Sequence, residues 1–386
     1  MKLEAMTFSE AIDTLHKHES LESMVFKIKA TKEQANYKAS WGDPTLKVAA
    51  KNFPKDTLSR NQSPMTGVEL SFSQKIPLTS KYENIKHAIN ALSEAYQFDS
   101  RDTKEKLTKA LWEIVILKRE IRQELDILQD NTIWIEKILK VSKRLYATGK
   151  VSQQAILEIE IRKSELERDI SNKNFEHIQI DEKLIYLVGS SNIDKQTIPW
   201  HVLERHPKIS RDYRELSLKE KLKVKKHTLK ASKQNYIPDL TLSLGYTDRS
   251  DIDSYGDFVS ASVSLSLPFS NQRSSQYAVA LQEKFKIQKD YDAYKRAKKR
   301  DVSILVHEIN KLTHEIEILT NKMIKFASNS RQITSKSYST GNSSYVELLQ
   351  SELKLQKILM QRVRVEAKRN MKRVTLKYIK GEALYE

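Results

Sequence analysis

Apolar residues recur along much of this chain at alternating intervals of four and three. Leu305, Ile309, Leu312, Ile316, Leu319, Met323 and Phe326 follow that spacing. Leu107, Leu111, Ile114, Ile121, Leu125, Leu128 and Ile135 keep the same heptad phase. A repeat of 3.5 residues, just under the 3.6 of an α-helix, drives left-handed supercoiling against neighbouring helices. No glycine or proline interrupts 81–148, 150–188, 269–340 or 342–380, so each stretch is predicted as one helix. At 1.5 Å per residue, a helix over 81–145 is about 100 Å long and needs a coiled-coil-like partner. A first helix over about 8–38 opens on Thr7-Phe8-Ser9-Glu10, which reads as a capping box. Another is predicted over about 200–234.

Between these helices the period drops to two. Strands are predicted at about 44–53, 66–76, 238–247 and 258–268. Val68, Leu70 and Phe72 alternate with Glu69, Ser71 and Ser73. Leu240, Leu242, Leu244 and Tyr246 alternate with Thr241, Ser243 and Gly245. Val259, Ala261, Val263, Leu265 and Leu267 alternate with Ser260, Ser262, Ser264 and Ser266. A half-buried soluble sheet has this pattern. So does a membrane β-barrel, with lipid outside and water inside. Trp41, Phe53, Tyr236, Tyr255, Phe258 and Phe269 cluster near the strand ends, as interfacial girdles or as caps on a small core. Four strands are too few for a membrane barrel, which needs at least about eight, and an open edge in lipid leaves backbone groups unpaired. On the barrel reading, subunits close the barrel together.

The chain also reads as a duplication. YATGKVSQQAILEIE, from Tyr146, and YSTGNSSYVELLQSE, from Tyr338, share Tyr, Thr, Gly, Ser, Leu and Glu in register at an offset of 192. Pro44 and Pro238, Pro77 and Pro268, and Leu15-x-x-His18 and Leu203-x-x-His206 form further pairs at similar offsets. They define a helix–strand–strand–long helix–turn–helix repeat over 1–190 and again over 191–386, the two forming one interwoven domain. The long helix of each half is expected to run from the strands to a tip, where Gly149 or Gly341 supplies the positive φ that ends it.

Lys and Arg number 67 against 50 Asp and Glu, a formal charge of +17. That balance is compatible with an acidic partner. Charges of both signs nevertheless alternate through most of the chain, as on a solvated helical surface. The basic runs 219–233 and 294–300 are exceptions, and neither interleaves aromatics as a base-stacking platform does. Without cysteine, disulfides and thiolate metal sites are excluded. No apolar run approaches the ~20 residues of a membrane-spanning helix. The opening MKLEAMTFSE has no apolar signal-peptide core, so the leader of an exported form is expected to lie outside this sequence. There is no Walker-type glycine loop, no spacing of the nine histidines that gathers metal ligands, and no base to activate the strand serines. The expectation is a protein that is not an enzyme and has no cofactor or bound metal.

The twofold repeat, the paired strands between long helices, and the tip segments from Tyr146 to Glu160 and Tyr338 to Glu352 resemble the TolC outer-membrane channel family, over about Phe8 to Lys380. Gly42-Asp43-Pro44-Thr45-Leu46 and Leu70-Ser71-Phe72-Ser73-Gln74-Lys75-Ile76-Pro77 look like its heavy-metal efflux branch. The resemblance implies a mainly α fold with a small membrane β part. It implies a homotrimer whose α-barrel tunnel crosses the periplasm and joins a twelve-stranded β-barrel in the outer membrane. The function implied is a passive exit duct for cargo delivered by an inner-membrane pump and a periplasmic adaptor, in a tripartite efflux or type I secretion system. Leu70, Phe72, Leu242, Leu244, Val263 and Leu265 are then expected to face lipid. Gly149, Val151, Ser152, Gly341, Ser343, Ser344 and Tyr345 are expected to meet the adaptor. Two acidic residues line the periplasmic aperture in the best-known members. The matching positions here are Glu347 and Gln350, so one acidic side chain of the pair is retained. The alternatives are a soluble coiled-coil scaffold and a basic nucleic-acid-binding protein, which solubility without detergent and salt-sensitive binding would respectively reveal.

Overall fold

The structure is a computed structural model that describes residues 5–205, 210–252, 254–267 and 269–385. It is mainly helical with one small antiparallel sheet. The elements run α1 (Phe8–Leu15), α2 (Glu19–Ala39), β1 (Thr45–Lys51), β2 (Gly67–Ile76), α3 (Lys81–Ala147) and α4 (Gln153–Val188). They continue with α5 (Tyr213–Gln234), β3 (Leu240–Arg249), β4 (Phe258–Leu265), α6 (Gln272–Ile318), α7 (Ile324–Thr340) and α8 (Tyr345–Lys380). Two compact units share this chain.

One unit comprises Ser23–Ser100 and Arg214–Tyr294 and holds the sheet, in the order β1-β2-β3-β4. All three pairings are antiparallel. Lys75 at the end of β2 and Lys81 at the start of α3 both reach Asp239 Oδ2, at 2.9 and 2.8 Å. That carboxylate ties the entry of β3 to the β2–α3 junction.

The other unit comprises Met1–Glu22, Arg101–Tyr213 and Lys295–Glu386 and is helical. Phe8, Leu15, Leu111, Trp112, Leu184 and Val374 anchor one of its clusters. A second cluster gathers Leu128, Ile135, Ile159, Leu166, Tyr338 and Leu348. Along α3 the residues Ile121, Glu124, Leu128, Asn131, Ile135, Ile138, Ser142 and Leu145 are all buried, a strict heptad seam. Its polar members bond across helices, with Asn131 Nδ2 left unpaired among the described residues. Glu124 accepts from Lys173 and Arg364, Asn131 from Arg331, and Ser142 Oγ lies 2.8 Å from the Tyr338 hydroxyl.

Three predicted helices are broken. The first stops at Leu15 and restarts at Glu19, because His18 Nδ1 accepts from the Ser20 amide at 3.2 Å and so occupies a donor of the new helix start. The helix expected over 200–234 is a 3-10 turn, Trp200–Leu203, followed later by α5; Pro207 lies in this stretch and has no amide hydrogen to continue a helix. The helix expected over 269–340 contains a π turn, Leu319–Met323, that separates α6 from α7. The heptad beginning at Leu305 therefore ends at Leu319. Beyond it, Phe326 is 71% exposed while Ala327 is 5% exposed, because the extra residue of a π turn rotates the following face by one position. The strands differ from expectation only at their ends. His206 and Pro268 fall outside the described residues.

Candidate functional site

The sheet and the two hairpin turns are the features built from the predicted site residues. Directly opposed residues of an antiparallel pair share a face, so the register assembles the two faces of the sheet. Leu46 faces Phe72 and Val48 faces Leu70. Phe72 faces Leu244 and Leu70 faces Tyr246. Leu242 faces Val263, Leu244 faces Ala261, and Leu240 faces Leu265. All six residues predicted to meet lipid therefore lie on one apolar face that runs across all four strands. The other face carries Glu69, Ser71, Ser73, Gly245, Ser243, Ser260, Ser262 and Ser264. A Cβ on Gly245 would sit 2.8 Å from both Glu69 Oε1 and Ser260 Oγ, so a larger residue there would displace those side chains.

Exposure separates the two readings of this alternation. A half-buried soluble sheet hides its apolar face. Here Leu70, Phe72, Leu242, Leu244, Val263 and Leu265 are all exposed. The buried strand residues, Gly67, Glu69, Gly245, Thr247 and Arg249, all lie on the polar face. Trp41, Tyr236, Tyr255, Phe258 and Phe269 are exposed as well. The outer sides of β1 and β4 pair with no strand among the described residues.

The two hairpin turns share one construction. Gly149 (φ 70°) and Gly341 (φ 82°) are left-handed. Gly149 N donates to Tyr146 O at 2.9 Å and Lys150 N to Leu145 O at 2.9 Å. Gly341 N donates to Tyr338 O at 3.0 Å and Asn342 N to Ser337 O at 2.9 Å. This doubled closure satisfies the last carbonyls of each helix. The next helices begin on Ser152, which accepts from Ala155 N, and Ser344, which accepts from Glu347 N. The turns are neighbours: Lys150 Cδ lies 3.6 Å from where a Cβ on Gly341 would be. Gly149, Ser152, Gly341 and Ser344 are exposed. Val151 and Tyr345 pack partly onto the cluster beneath.

Residues 219–382 match the family described as outer membrane efflux protein. Over nearly the whole chain the fold is that of solved outer-membrane channels. By sequence over 219–382 and by fold over nearly its whole length, the chain resembles the TolC-like outer-membrane efflux family. CusC is 14% identical, with 97% of this chain and 91% of that one covered at a TM-score of 0.78. VceC of Vibrio cholerae is 13% identical, with 98% and 96% covered at 0.80. The channel OprN is 14% identical, with 97% and 90% covered at 0.81. No curated protein is significantly similar in sequence.

Glu347 and Gln350 are exposed on the first turns of α8. The Glu347 carboxylate accepts from Ser343 Oγ and has no ion pair among the described residues. Its place in the first turn suits a carboxylate, which the helix dipole stabilises there. No group of three or more metal-binding side chains occurs among the described residues.

One polar cluster escaped sequence reasoning. Arg162 on α4 is 7% exposed and Glu352 on α8 is 0% exposed. Arg162 Nε donates to Glu352 Oε2 at 3.3 Å and Nη2 to Oε1 at 3.4 Å. Arg162 also donates to Glu165 at 3.0 Å and to Gln356. Burial pushes the Glu352 carboxyl above its ordinary range, against the pull of Arg162. Nothing in the spacing from Arg162 to Glu352 marks them as partners. The sole hint is that Glu352 recurs in register with Glu160.

Proposed function

We propose that this protein is the outer-membrane channel subunit of a tripartite efflux or type I secretion system and serves as a passive exit duct. The observation that carries the reading is the four-stranded sheet with an exposed apolar face and two open edges. Lipid is the solvent that favours such a face, and closure is the only way to satisfy the edges within it. Three subunits then close a twelve-stranded barrel in the outer membrane, and their helices enclose a tunnel through the periplasm. Cargo enters from an inner-membrane pump through a periplasmic adaptor. The recurrence of helix–strand–strand–long helix–turn–helix in 1–190 and 191–386 supports an origin by duplication. The purified full-length protein is expected to be a detergent-dependent trimer that conducts in planar bilayers. A soluble monomer from correctly exported protein would overturn the reading.

The adaptor is assigned to the paired hairpin turns at Gly149, Val151, Ser152, Gly341, Ser343, Ser344 and Tyr345. Because Ser152 and Ser344 are helix caps, alanine there would mix lost stability with lost contact. Aspartate keeps the cap and adds charge at the surface. The S152D/S344D variant is expected to form normal trimers in the outer membrane yet lose most export. Normal export by that variant places the adaptor elsewhere.

Glu347 is assigned to the periplasmic aperture, with Gln350 one turn on. Threefold symmetry turns one exposed carboxylate into a ring of three, which attracts cations. Replacing Glu347 with Gln is expected to reduce cation selectivity several-fold in single-channel recordings. Unchanged selectivity and divalent block would exclude the ring.

A further inference from the structure

Helix α5 carries an unusual surface. Every exposed residue on it is a lysine: Lys219, Lys223, Lys226, Lys230 and Lys233. Their spacing of four, three, four and three places them along a single helix face, about 21 Å from first to last at 1.5 Å per residue. The exposed positions of α2, by contrast, include Val25, Phe26 and Tyr37.

The stripe is left over after the fold has used the rest of the helix. On one flank α5 meets α3, through Ser217 and Lys221 to Asp99 and Asn84 to Gln234. On another it meets α6, through Glu215 to Tyr291 and Lys225 to Glu283. Lys219 and Lys223 hold Glu215 and Glu220 of their own helix, at 3.2 and 2.7 Å. Lys226, Lys230 and Lys233 have no ion pair among the described residues. Like charges three and four residues apart destabilise a helix, so stability does not account for five lysines in line.

We propose that this face of α5 docks the carboxylate-bearing polymer of the cell wall, peptidoglycan. The inference rests on the periplasmic placement of the helices in the preceding section. Three features select the occupant. The charge is all of one sign, so the partner is anionic. No apolar or aromatic anchor stands among the lysines, and protein interfaces depend on such anchors and are depleted of lysine, so the partner is a polymer of dispersed charge rather than a folded protein. The stripe begins beside the sheet and runs away from it along the helix. A flat layer of lipid headgroups reaches only its near end, whereas a polymer mesh surrounding the helices reaches all of it. At 100° per residue, the half-buried face of Lys221, Lys225 and Ser232 lies between the α3 and α6 flanks, and the exposed lysines occupy the wider arc. In a closed ring of helices the wider arc is the outer one.

The test uses purified full-length trimer and isolated protein-free sacculi. The wild-type protein is expected to sediment with sacculi at low salt and to be released steeply as salt rises. The K226E/K230E/K233E variant is expected to bind at least tenfold more weakly, and K226R/K230R/K233R to bind as wild type. K354E/K357E/K368E makes the same charge change on exposed positions of α8 and is expected to keep binding. Equal binding by all variants would overturn the proposal. So would binding to anionic phospholipid vesicles but not to sacculi, which assigns the stripe to headgroups. A change of ion selectivity in K226E/K230E/K233E channels would place the stripe inside the duct and overturn it too. A wild-type channel that conducts but never binds sacculi sinks this inference alone; a chain that forms no channel sinks both it and the reading beneath it.

Discussion

Arginine in place of Leu244 is expected to abolish outer-membrane assembly, while arginine in place of Ser262 leaves it largely intact. Leu244 sits mid-strand in β3, between Phe72 and Ala261, on the exposed apolar face. A cationic side chain at the midplane of a barrel's lipid face costs about 2–4 kcal/mol, and the trimer incurs that cost in every subunit. Ser262 opposes Ser243 on the polar face, where water on the barrel reading solvates the new charge. Ser264 is a poorer control, because it borders the cavity lined by Lys75 and Arg273. The readout is the yield of heat-dissociable trimer in the outer-membrane fraction. Equal yields from both variants would remove the barrel assignment.

The second large effect is expected at Arg162. Arg162→Met strips Glu352 of its bidentate partner and leaves a buried carboxylate with only the longer-range pull of Arg331. Breaking a buried pair on one side costs about 3–5 kcal/mol. The double variant R162M/E352Q removes both charges and is expected to recover most of that loss. Acid softens the single-variant defect, since a protonated Glu352 needs no cation. The wild-type pH dependence follows from the same burial. Glu352 titrates above its ordinary range in the folded state, so the folded state holds its proton more tightly than the unfolded chain does. The stability it contributes is full below the ordinary glutamate value, about 4.3, and is lost as pH rises through the raised folded value. Unfolding of E352Q across that window should show a correspondingly flatter profile. An R162M trimer as stable as wild type at neutral pH would contradict this account.

The elements that sequence revealed are those encoded by local period. The 4-3 spacing of apolar residues marked α3 and the first part of α6. The period of two marked the strands and the shared face of Leu70, Phe72, Leu242, Leu244, Val263 and Leu265, because a strand's faces follow from parity alone. The glycines of the hairpin turns were legible because positive φ leaves few other residues. Which face of the sheet would be exposed was not legible, since alternation is the same in water and in lipid. Nor was the Arg162–Glu352 pair, whose partners lie 190 residues apart and meet only through the mutual register of α4 and α8. The break at His18 escaped notice because neither proline nor glycine causes it. The run 219–233 was seen as basic, but that its exposed positions are all lysine depends on which faces α3 and α6 cover.

The π turn of Leu319–Met323 has a meaning in the chain's arithmetic. From Pro77 to Gly149 the sequence advances 72 residues, and from Pro268 to Gly341 it advances 73. On the duplication reading, the second copy carries a single inserted residue in its long helix. An insertion in an ideal helix turns everything downstream by about 100° and would swing the second tip out of line with the first. A π turn takes up one residue more than an α turn, so it stores the insertion locally. The buried Ala327 after it then matches the buried Ile135, 192 residues earlier in the first copy. On that reading the turn is an expansion joint: a change in length is absorbed at one point, and the two tips stay side by side.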